Sequence, residues 1–385
     1  MTLSNTTYRV GIIGGGRQGT HHARGYAIHS RTEVVAVADT DQENLDLFRE
    51  RFGVPGYSDY GEMLAKERIE ISAPVLPVRA NAGAVVASAQ AGVKAISCEK
   101  PLTASLEDAD RTVEECRTKG IFFAAGLVAR NYPEYWKARE LIEAGGIGEV
   151  QSINVYDTNG QGGCHGINLA LHFAGDPEAD WVTGWVEGDP FSDYEEGHEE
   201  GTEGFGGIGG YVRFDNGIEV FGHVKEAVKK ATGGRFEVVG AGGVLYDDSL
   251  GLHLLKEVRT DGTQKLGDLE EGEGIFPSWS LGGKVTYDEE GWRVPTPGMR
   301  ATVDAIVESL DTGTPLKLST GEDLRKALEI CVALRESARV GHAPVKLPLE
   351  DRGLKMYPVN ARWNYKKEVY GRERYMQDMA TYTKS

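Results

Sequence analysis

Short apolar runs alternate with longer amphipathic segments over the first 125 residues of the chain. Helical spacing predicts helices over residues 45–52, 82–90 and 106–119. Strands separated by helix-length segments are typical of βαβ units, so the pattern predicts a doubly wound parallel sheet. Pro74 lies inside the third apolar run and cannot donate to a sheet ladder, which predicts a bulge or an early strand end. The runs that predict strands are 9–13, 33–38, one ending near Leu76, 94–98 and 122–125.

Beyond residue 126 the segments become longer, and apolar and polar positions alternate along them. This pattern predicts a mostly antiparallel sheet, and Asn216-Gly217 between two segments is a strong hairpin signal. The predicted strands are 150–156, 209–214, 219–224, 235–240 and 243–246. The predicted helices are 134–144, 168–174, 299–310 and 321–340.

The length of 385 residues exceeds what one hydrophobic core of about 250 residues supports, which predicts more than one domain. The change of pattern places the first domain at residues 1–125 and the second at residues 126–350. Residues 351–385 form a C-terminal extension rich in Tyr and Trp. So many aromatic side chains predict an extension packed on its own or a neighbouring subunit.

The charge of the chain narrows the class of partner. Lys and Arg number 42 against 59 Asp and Glu, a formal net charge of -17, which disfavours nucleic acid and anionic membrane surfaces. No run approaches the roughly 20 apolar residues of a membrane span, and the start lacks a signal-peptide pattern, so we expect a cytoplasmic protein. The four cysteines show no paired spacing, and no ligand cluster has zinc spacing, so no metal is predicted.

A glycine-rich motif follows the first predicted strand. Gly14, Gly16 and Gly19 have the G-x-G-x-x-G spacing, with Arg17 and Gln18 between them and a helix-compatible run after them. In the dinucleotide-binding Rossmann fold such glycines allow a tight turn, close approach of a pyrophosphate and close packing of the helix. Asp39 follows the second strand, where a carboxylate accepts hydrogen bonds from ribose hydroxyls and repels a 2′-phosphate. We therefore expect NAD(H) to be preferred over NADP(H).

A second motif, Cys98-Glu99-Lys100-Pro101, follows the fourth predicted strand. It places Lys100 at the carboxyl end of a parallel strand, where ligands bind in doubly wound sheets. Lysines in loops are mostly solvated, but at this position Lys100 could hold a substrate hydroxyl.

With these two motifs the sequence resembles the Gfo/Idh/MocA oxidoreductases, from about Tyr8 to Pro348. Segments near residues 126–133, 145–149, 236–243 and 333–338 extend the resemblance. It implies a Rossmann domain followed by an open sheet with helices on one face, an α+β domain that binds substrate and mediates homo-oligomerisation as a dimer or tetramer. It also implies hydride transfer to or from a sugar, a polyol or an inositol-like ring.

The resemblance also implies roles for single residues. His165 matches the family histidine and would be the catalytic base beside Lys100. Gln161 stands at the family aspartate, which departs from the pattern of a plain inositol dehydrogenase. The implied substrate-binding residues are Lys100, Arg130, Gln161, His165 and Asn168. The implied cofactor-binding residues are Gly14, Gly16, Arg17, Gln18, Gly19, Asp39, Leu76, Pro77, Asn81, Glu99 and Lys100.

Two other functions stay open from the sequence. Relatives of this kind include redox-assisted glycosidases, which oxidise and reduce the sugar again with no net change in NADH. Others are non-catalytic sugar or dinucleotide sensors. The replacement of the family aspartate by Gln161 is compatible with a sensor, but the presence of Lys100 and His165 argues against it. The identity of the substrate is not contained in the sequence.

Overall fold

The structure is a computed structural model that describes residues 6–126, 128–156, 163–192, 207–223, 236–247, 252–260, 263–268, 294–356 and 373. The chain divides into two compact units. The first draws on Met1–Asn131 and Lys284–Glu322, and the second on Tyr132–Gly283 and Asp323–Pro358. Among the described residues, no helix is both long and apolar enough to cross a bilayer. The predicted domain bounds at residues 125 and 350 stay a prediction.

A parallel sheet forms the centre of the first unit. Among the described residues it has six strands in the order β3-β2-β1-β4-β5-β6, with every neighbouring pair parallel. This confirms the predicted doubly wound Rossmann sheet, although the two-residue strand β3 was not predicted. The strands are β1 Tyr8–Ile13, β2 Thr32–Ala38, β3 Gly56–Tyr57, β4 Ile71–Pro74, β5 Ala95–Cys98 and β6 Phe122–Ala125.

The helices of the first unit follow the strands in turn. Asp41 caps α2 by accepting from the N–H groups of Glu43 and Asn44, and Ser105 caps α5 by accepting from Asp108. β4 ends at Pro74, which confirms the predicted early strand end. The helices are α1 Arg17–Ala27, α2 Gln42–Phe52, α3 Tyr60–Lys66, α4 Val78–Gln90 and α5 Leu106–Thr118, of which α3 was not predicted.

A helix from late in the chain completes the core of the first unit. α8, Pro297–Thr312, buries Met299, Val303 and Ile306 in the same cluster as Val10 and Ile12. Asn131 donates to the Thr302 hydroxyl at 3.0 Å, which ties this helix to the end of the Rossmann segment. The first unit is therefore assembled from two distant stretches of sequence.

A mixed sheet forms the second unit. Its described part has nine strands in the order β14-β13-β12-β11-β7-β10-β9-β8-β15, and β7 with β10 is its parallel pair. The Asn216-Gly217 turn joins β9 to β10 and confirms the predicted hairpin, with Gly217 at a φ of 90°. The strands are β7 Val150–Val155, β8 Ala179–Val186, β9 Ile208–Phe214, β10 Glu219–Gly222, β11 Phe236–Gly240, β12 Gly243–Asp247, β13 Leu252–Thr260, β14 Thr263–Asp268 and β15 Val345–Lys346.

Helices cover one face of this sheet, as predicted. Val182, Val212 and Val220 point to the buried face, and α9, Gly321–Arg339, lies so close that a Cβ at Gly184 would be 2.1 Å from the Leu334 carbonyl oxygen. The other described helices of this unit are α6, Pro133–Glu143, and α7, Gly166–Ala174.

Candidate functional site

A cleft of about 380 Å³ opens where the strand order of the first sheet reverses, between β1 and β4. Open parallel sheets bind ligands at this kind of switch point, outside the carboxyl ends of the strands. The glycine loop after β1 forms one wall, and Val75, Leu76 and Pro77 after β4 form the other. Asp39 and Glu99, which follow β2 and β5, also line it.

The glycine loop has the shape that the motif predicts. Gly14 has a φ of 103°, and a Cβ there would lie 2.3 Å from the Val75 carbonyl oxygen. A Cβ at Gly19 would lie 1.8 Å from the Gly14 carbonyl oxygen. Both positions therefore require glycine. Gly16 is the N-cap of α1, so the first turn of this helix, with Arg17 and Gln18, borders the cleft.

The Asp39 carboxylate is fixed by three N–H donors among the described residues. Its Oδ2 accepts from the Gly15 backbone at 2.7 Å and from the Asn44 side-chain amide at 3.1 Å. Its Oδ1 accepts from the Asp41 backbone at 2.8 Å. Burial raises the pKa of the Asp39 carboxyl, while the hydrogen bonds from Asp41, Gly15 and Asn44 act to lower it.

The loop that carries Lys100 is held from below by a buried amide. The Asn81 side chain is fully buried and donates to the carbonyl oxygens of Glu99, at 3.1 Å, and of Pro101, at 2.8 Å. The Lys100 side chain is 12% exposed, and its ammonium lies 4.0 Å from Glu99 Oε1. Neither Asn81 nor Lys100 lines the cleft. Asn81 positions the loop through its two hydrogen bonds to the backbone.

Glu99 is almost completely enclosed. His22 on α1, with no exposed surface, places Nε2 3.4 Å from Glu99 Oε2. Gly126 closes the other side, since a Cβ there would lie 2.3 Å from the same oxygen. In the first unit, the Glu99 carboxylate thus lies between the buried His22 imidazole and the Lys100 ammonium.

The second unit carries the predicted base. His165 is the N-cap residue of α7 and is 4% exposed. Asn168, one turn later, is fully buried and donates to the Cys164 carbonyl oxygen at 3.2 Å. Gln161 lies outside the described residues. Arg130 belongs to the first unit, where it is 4% exposed in a short 3₁₀ turn, Ala129–Asn131.

Several residues that line the cleft were not predicted from the sequence, among them Asn44, Ser58, Tyr60 and Arg79. Asn44 had a signal, because Asp41 three residues earlier is a typical N-cap and fixes Asn44 in the first turn of a helix that starts beside Asp39. Ser58 and Tyr60 had none, because β3 and α3 are too short to show a period.

Sequence comparison agrees with this geometry. Residues 8–127 match the model of the GFO_IDH_MocA family, described as an oxidoreductase family with an NAD-binding Rossmann fold. Residues 8–127 are therefore similar to the NAD-binding domain of the Gfo/Idh/MocA oxidoreductases. Myo-inositol 2-dehydrogenase of Thermotoga maritima is 29% identical over 148 residues, 38% of this chain and 44% of that protein.

A second relative is dTDP-3,4-didehydro-2,6-dideoxy-alpha-D-glucose 3-reductase of Streptomyces violaceoruber. It is 30% identical over 129 residues, 34% of this chain and 37% of that protein. The chain thus matches less than half the length of these two relatives. The fold likeness reaches further: the WlbA dehydrogenase of Bordetella pertussis, solved with NADH and UDP-GlcNAcA, has a TM-score of 0.69 at 17% identity, covering 90% of this chain and 100% of that chain.

Proposed function

We propose that this protein is an NAD(H)-dependent oxidoreductase that transfers a hydride to or from a secondary alcohol or ketone of a sugar, polyol or inositol-like substrate. The observation that carries the proposal is the cleft at the switch point between β1 and β4, with its glycine loop and with Asp39 fixed beside it. Lys100 supports it, because its loop follows the next strand of the sheet, β5.

The residues of the cleft fit a dinucleotide. Gly14 and Gly19 keep the loop tight against Val75 and against its own backbone, which sets the N-terminus of α1 at the cleft, where it favours negative charge such as that of a pyrophosphate. Asp39 would accept the ribose hydroxyls and disfavour a 2′-phosphate, which supports a preference for NAD(H) over NADP(H). When bound, the nicotinamide would supply the hydride chemistry of the reaction.

Lys100 would bind the substrate oxygen, and His165 would accept and return the proton. The Lys100 ammonium would donate a hydrogen bond to the oxygen at the reacting carbon, held in place by Glu99 at 4.0 Å and by the Asn81 amide below the loop. His165 would accept the hydroxyl proton at an imidazole nitrogen in the oxidation direction and return it in reduction. Arg130, Asn168 and Gln161 would contribute to substrate binding.

Similarity supports the substrate class. The relatives named above are an inositol dehydrogenase and a nucleotide-sugar reductase, and a structure of the same fold holds a nucleotide sugar.

The four cysteines are all described and buried, and no disulfide joins them, which suits a reducing cytoplasm.

Self-association would use the face of the second sheet that the described helices leave uncovered. Trp181 and Tyr211 lie with ring centroids 5.0 Å apart there, and Tyr211 and Phe221 lie 5.4 Å apart. Phe221 is 40% and Trp185 42% exposed. A row of partly exposed aromatics of this kind supports a homo-oligomer, a dimer or a tetramer.

The test is a screen of sugars, inositols and keto-sugars with NAD and NADP. The absorbance of the reduced nicotinamide measures the reaction. We expect substrate-dependent reduction of NAD, or oxidation of NADH by a keto-sugar. Hydrolysis of a glycoside without net change in NADH would instead identify the redox-assisted glycosidase. Absence of dinucleotide binding by the purified protein would overturn the proposal.

A further inference from the structure

The acceptor capacity of Asp39 is mostly used by the protein itself. A carboxylate offers about four acceptor positions, two on each oxygen. Gly15 and Asn44 fill those of Oδ2, and Asp41 fills one of the two on Oδ1. The position that remains for a ligand is therefore on Oδ1. The orientation of the carboxylate decides whether that position meets a ribose hydroxyl.

Asn44 is well placed to control that orientation. It lies in the first turn of α2, where its backbone N–H donates to the Asp41 cap at 3.3 Å, so its position relative to the β2 end is fixed by the helix. Its side-chain amide reaches back to Asp39 Oδ2 at 3.1 Å. Asn44 also lines the cleft. The Gly15 N–H belongs to the glycine loop, so Oδ2 joins the loop to α2 through one atom.

We infer that Asn44 is a specificity-determining residue that acts through Asp39, by holding Oδ2 against the glycine loop and leaving Oδ1 for the adenosine ribose of NAD. This inference rests on the proposed preference for NAD(H). A neutral amide donor also favours the ionised form of the partly buried carboxyl, and the ionised form repels a 2′-phosphate. Without the amide, Asp39 keeps one donor on each oxygen, Gly15 on Oδ2 and Asp41 on Oδ1, and its orientation is less tightly fixed.

The experiment is equilibrium binding of NADH and NADPH to the full-length protein by titration calorimetry. For Asn44→Ala we expect NADH affinity to fall by about three- to tenfold, the usual net effect of one hydrogen bond, with NADPH affinity equal or higher. Gln42→Ala is the matched control, because its amide lies in the same helical turn but donates to Asp46 at 2.8 Å. It should leave both affinities unchanged.

A mutant cycle separates this role from a structural one. In an Asp39→Ala background, Asn44→Ala should change NADH affinity by less than about twofold, because the residue acts through the missing carboxylate. Asn44→Leu, close in volume and without a donor, provides a second variant should Asn44→Ala fold poorly. The ratio of the two affinities within one variant does not depend on the folded fraction.

The outcomes are distinguishable. Wild-type protein that binds NADPH as well as NADH would overturn the proposed cofactor preference. A wild-type preference for NADH that Asn44→Ala and Asn44→Leu both retain would leave that preference standing and overturn the role of Asn44. An equal loss of NADH affinity with and without Asp39 would show a direct contact of Asn44 with the ligand, which also overturns the inference.

Discussion

His22 Nε2 lies 3.4 Å from Glu99 Oε2, and neither side chain is more than 5% exposed. The contact joins the helix that follows the glycine loop to the loop that carries Lys100. A buried carboxylate is costly unless an opposite charge or a donor compensates it. Glu99 has the imidazole on one side and the Lys100 ammonium, at 4.0 Å, on the other. His22 therefore supports the site although it does not line the cleft.

Replacement of His22 by leucine should destabilise the protein by about 1 to 3 kcal/mol, because it leaves the buried Glu99 carboxylate with one polar contact fewer. Adding Glu99→Gln should recover much of that loss, since a neutral amide is cheaper to bury. Urea unfolding measures both variants. His29→Leu is the control, because His29 pairs at 3.4 Å with an exposed Asp304 and should cost less than about 1 kcal/mol. A double variant no more stable than His22→Leu would contradict this account.

Substitution of the proposed catalytic pair, His165 and Lys100, should affect turnover far more than cofactor binding. His165→Ala should lower turnover by about 10² to 10⁴, the usual contribution of a positioned acid or base. Lys100→Met should be at least as damaging, because it removes a charge and a donor to the substrate oxygen. NADH affinity should change by less than about threefold in His165→Ala. Steady-state kinetics on a substrate found in the screen decide this, and near wild-type turnover of His165→Ala would place the base elsewhere.

Glu134 should make the stability of the second unit depend on pH. Burial, with a contribution from Asp247, raises the pKa of its carboxyl from 4.5 to about 7. The folded state then binds the proton more tightly than the unfolded state, so stability falls as pH rises from about 4.5 through about 7. Glu134→Gln should be nearly neutral at about pH 5 and stabilising by about 1 to 3 kcal/mol at about pH 8.

Tryptophan fluorescence during urea unfolding at the two pH values measures this effect, since Trp136 and Trp181 belong to the same unit. Glu140→Gln removes an exposed carboxylate from the same helix and serves as the control. If Glu134→Gln and Glu140→Gln gave the same pH dependence as the wild type, Glu134 would be ionised in the folded protein without cost.

The segment after β15 should detach when Glu329 is neutralised. This carboxylate is 4% exposed and accepts from Arg325 at 3.0 Å, from the Leu349 N–H at 2.8 Å and from Arg352. Glu329→Gln should cost about 2 kcal/mol and speed tryptic cleavage after Lys355 several-fold. Exposed Glu350 offers the control Glu350→Gln. Equal cleavage rates in both variants would show that other contacts hold the segment.

Of the predicted C-terminal extension, residues 357–372 and 374–385 lie outside the described residues.

The sequence determined the features whose causes are local. Gly14 and Gly19 are required by a positive φ and by contacts within the glycine loop or with the next strand end, so their spacing identified the cleft. The Asn216-Gly217 turn and the Ser105 cap likewise depend on a few consecutive residues. The strands of the first sheet other than β3 were predicted within a few residues because buried parallel strands are continuous apolar runs.

Only the tertiary structure decided which distant residues meet. α8 joins the first unit from a position about 170 residues after Asn131, His22 meets Glu99, and Asn81 binds carbonyl oxygens some 20 residues later. Asn81 was expected beside the cofactor, and its burial under the lysine loop could not be read from its neighbours. The partner of a buried polar group depends on how helices and strands pack, and a local pattern of apolar and polar positions carries no record of that packing.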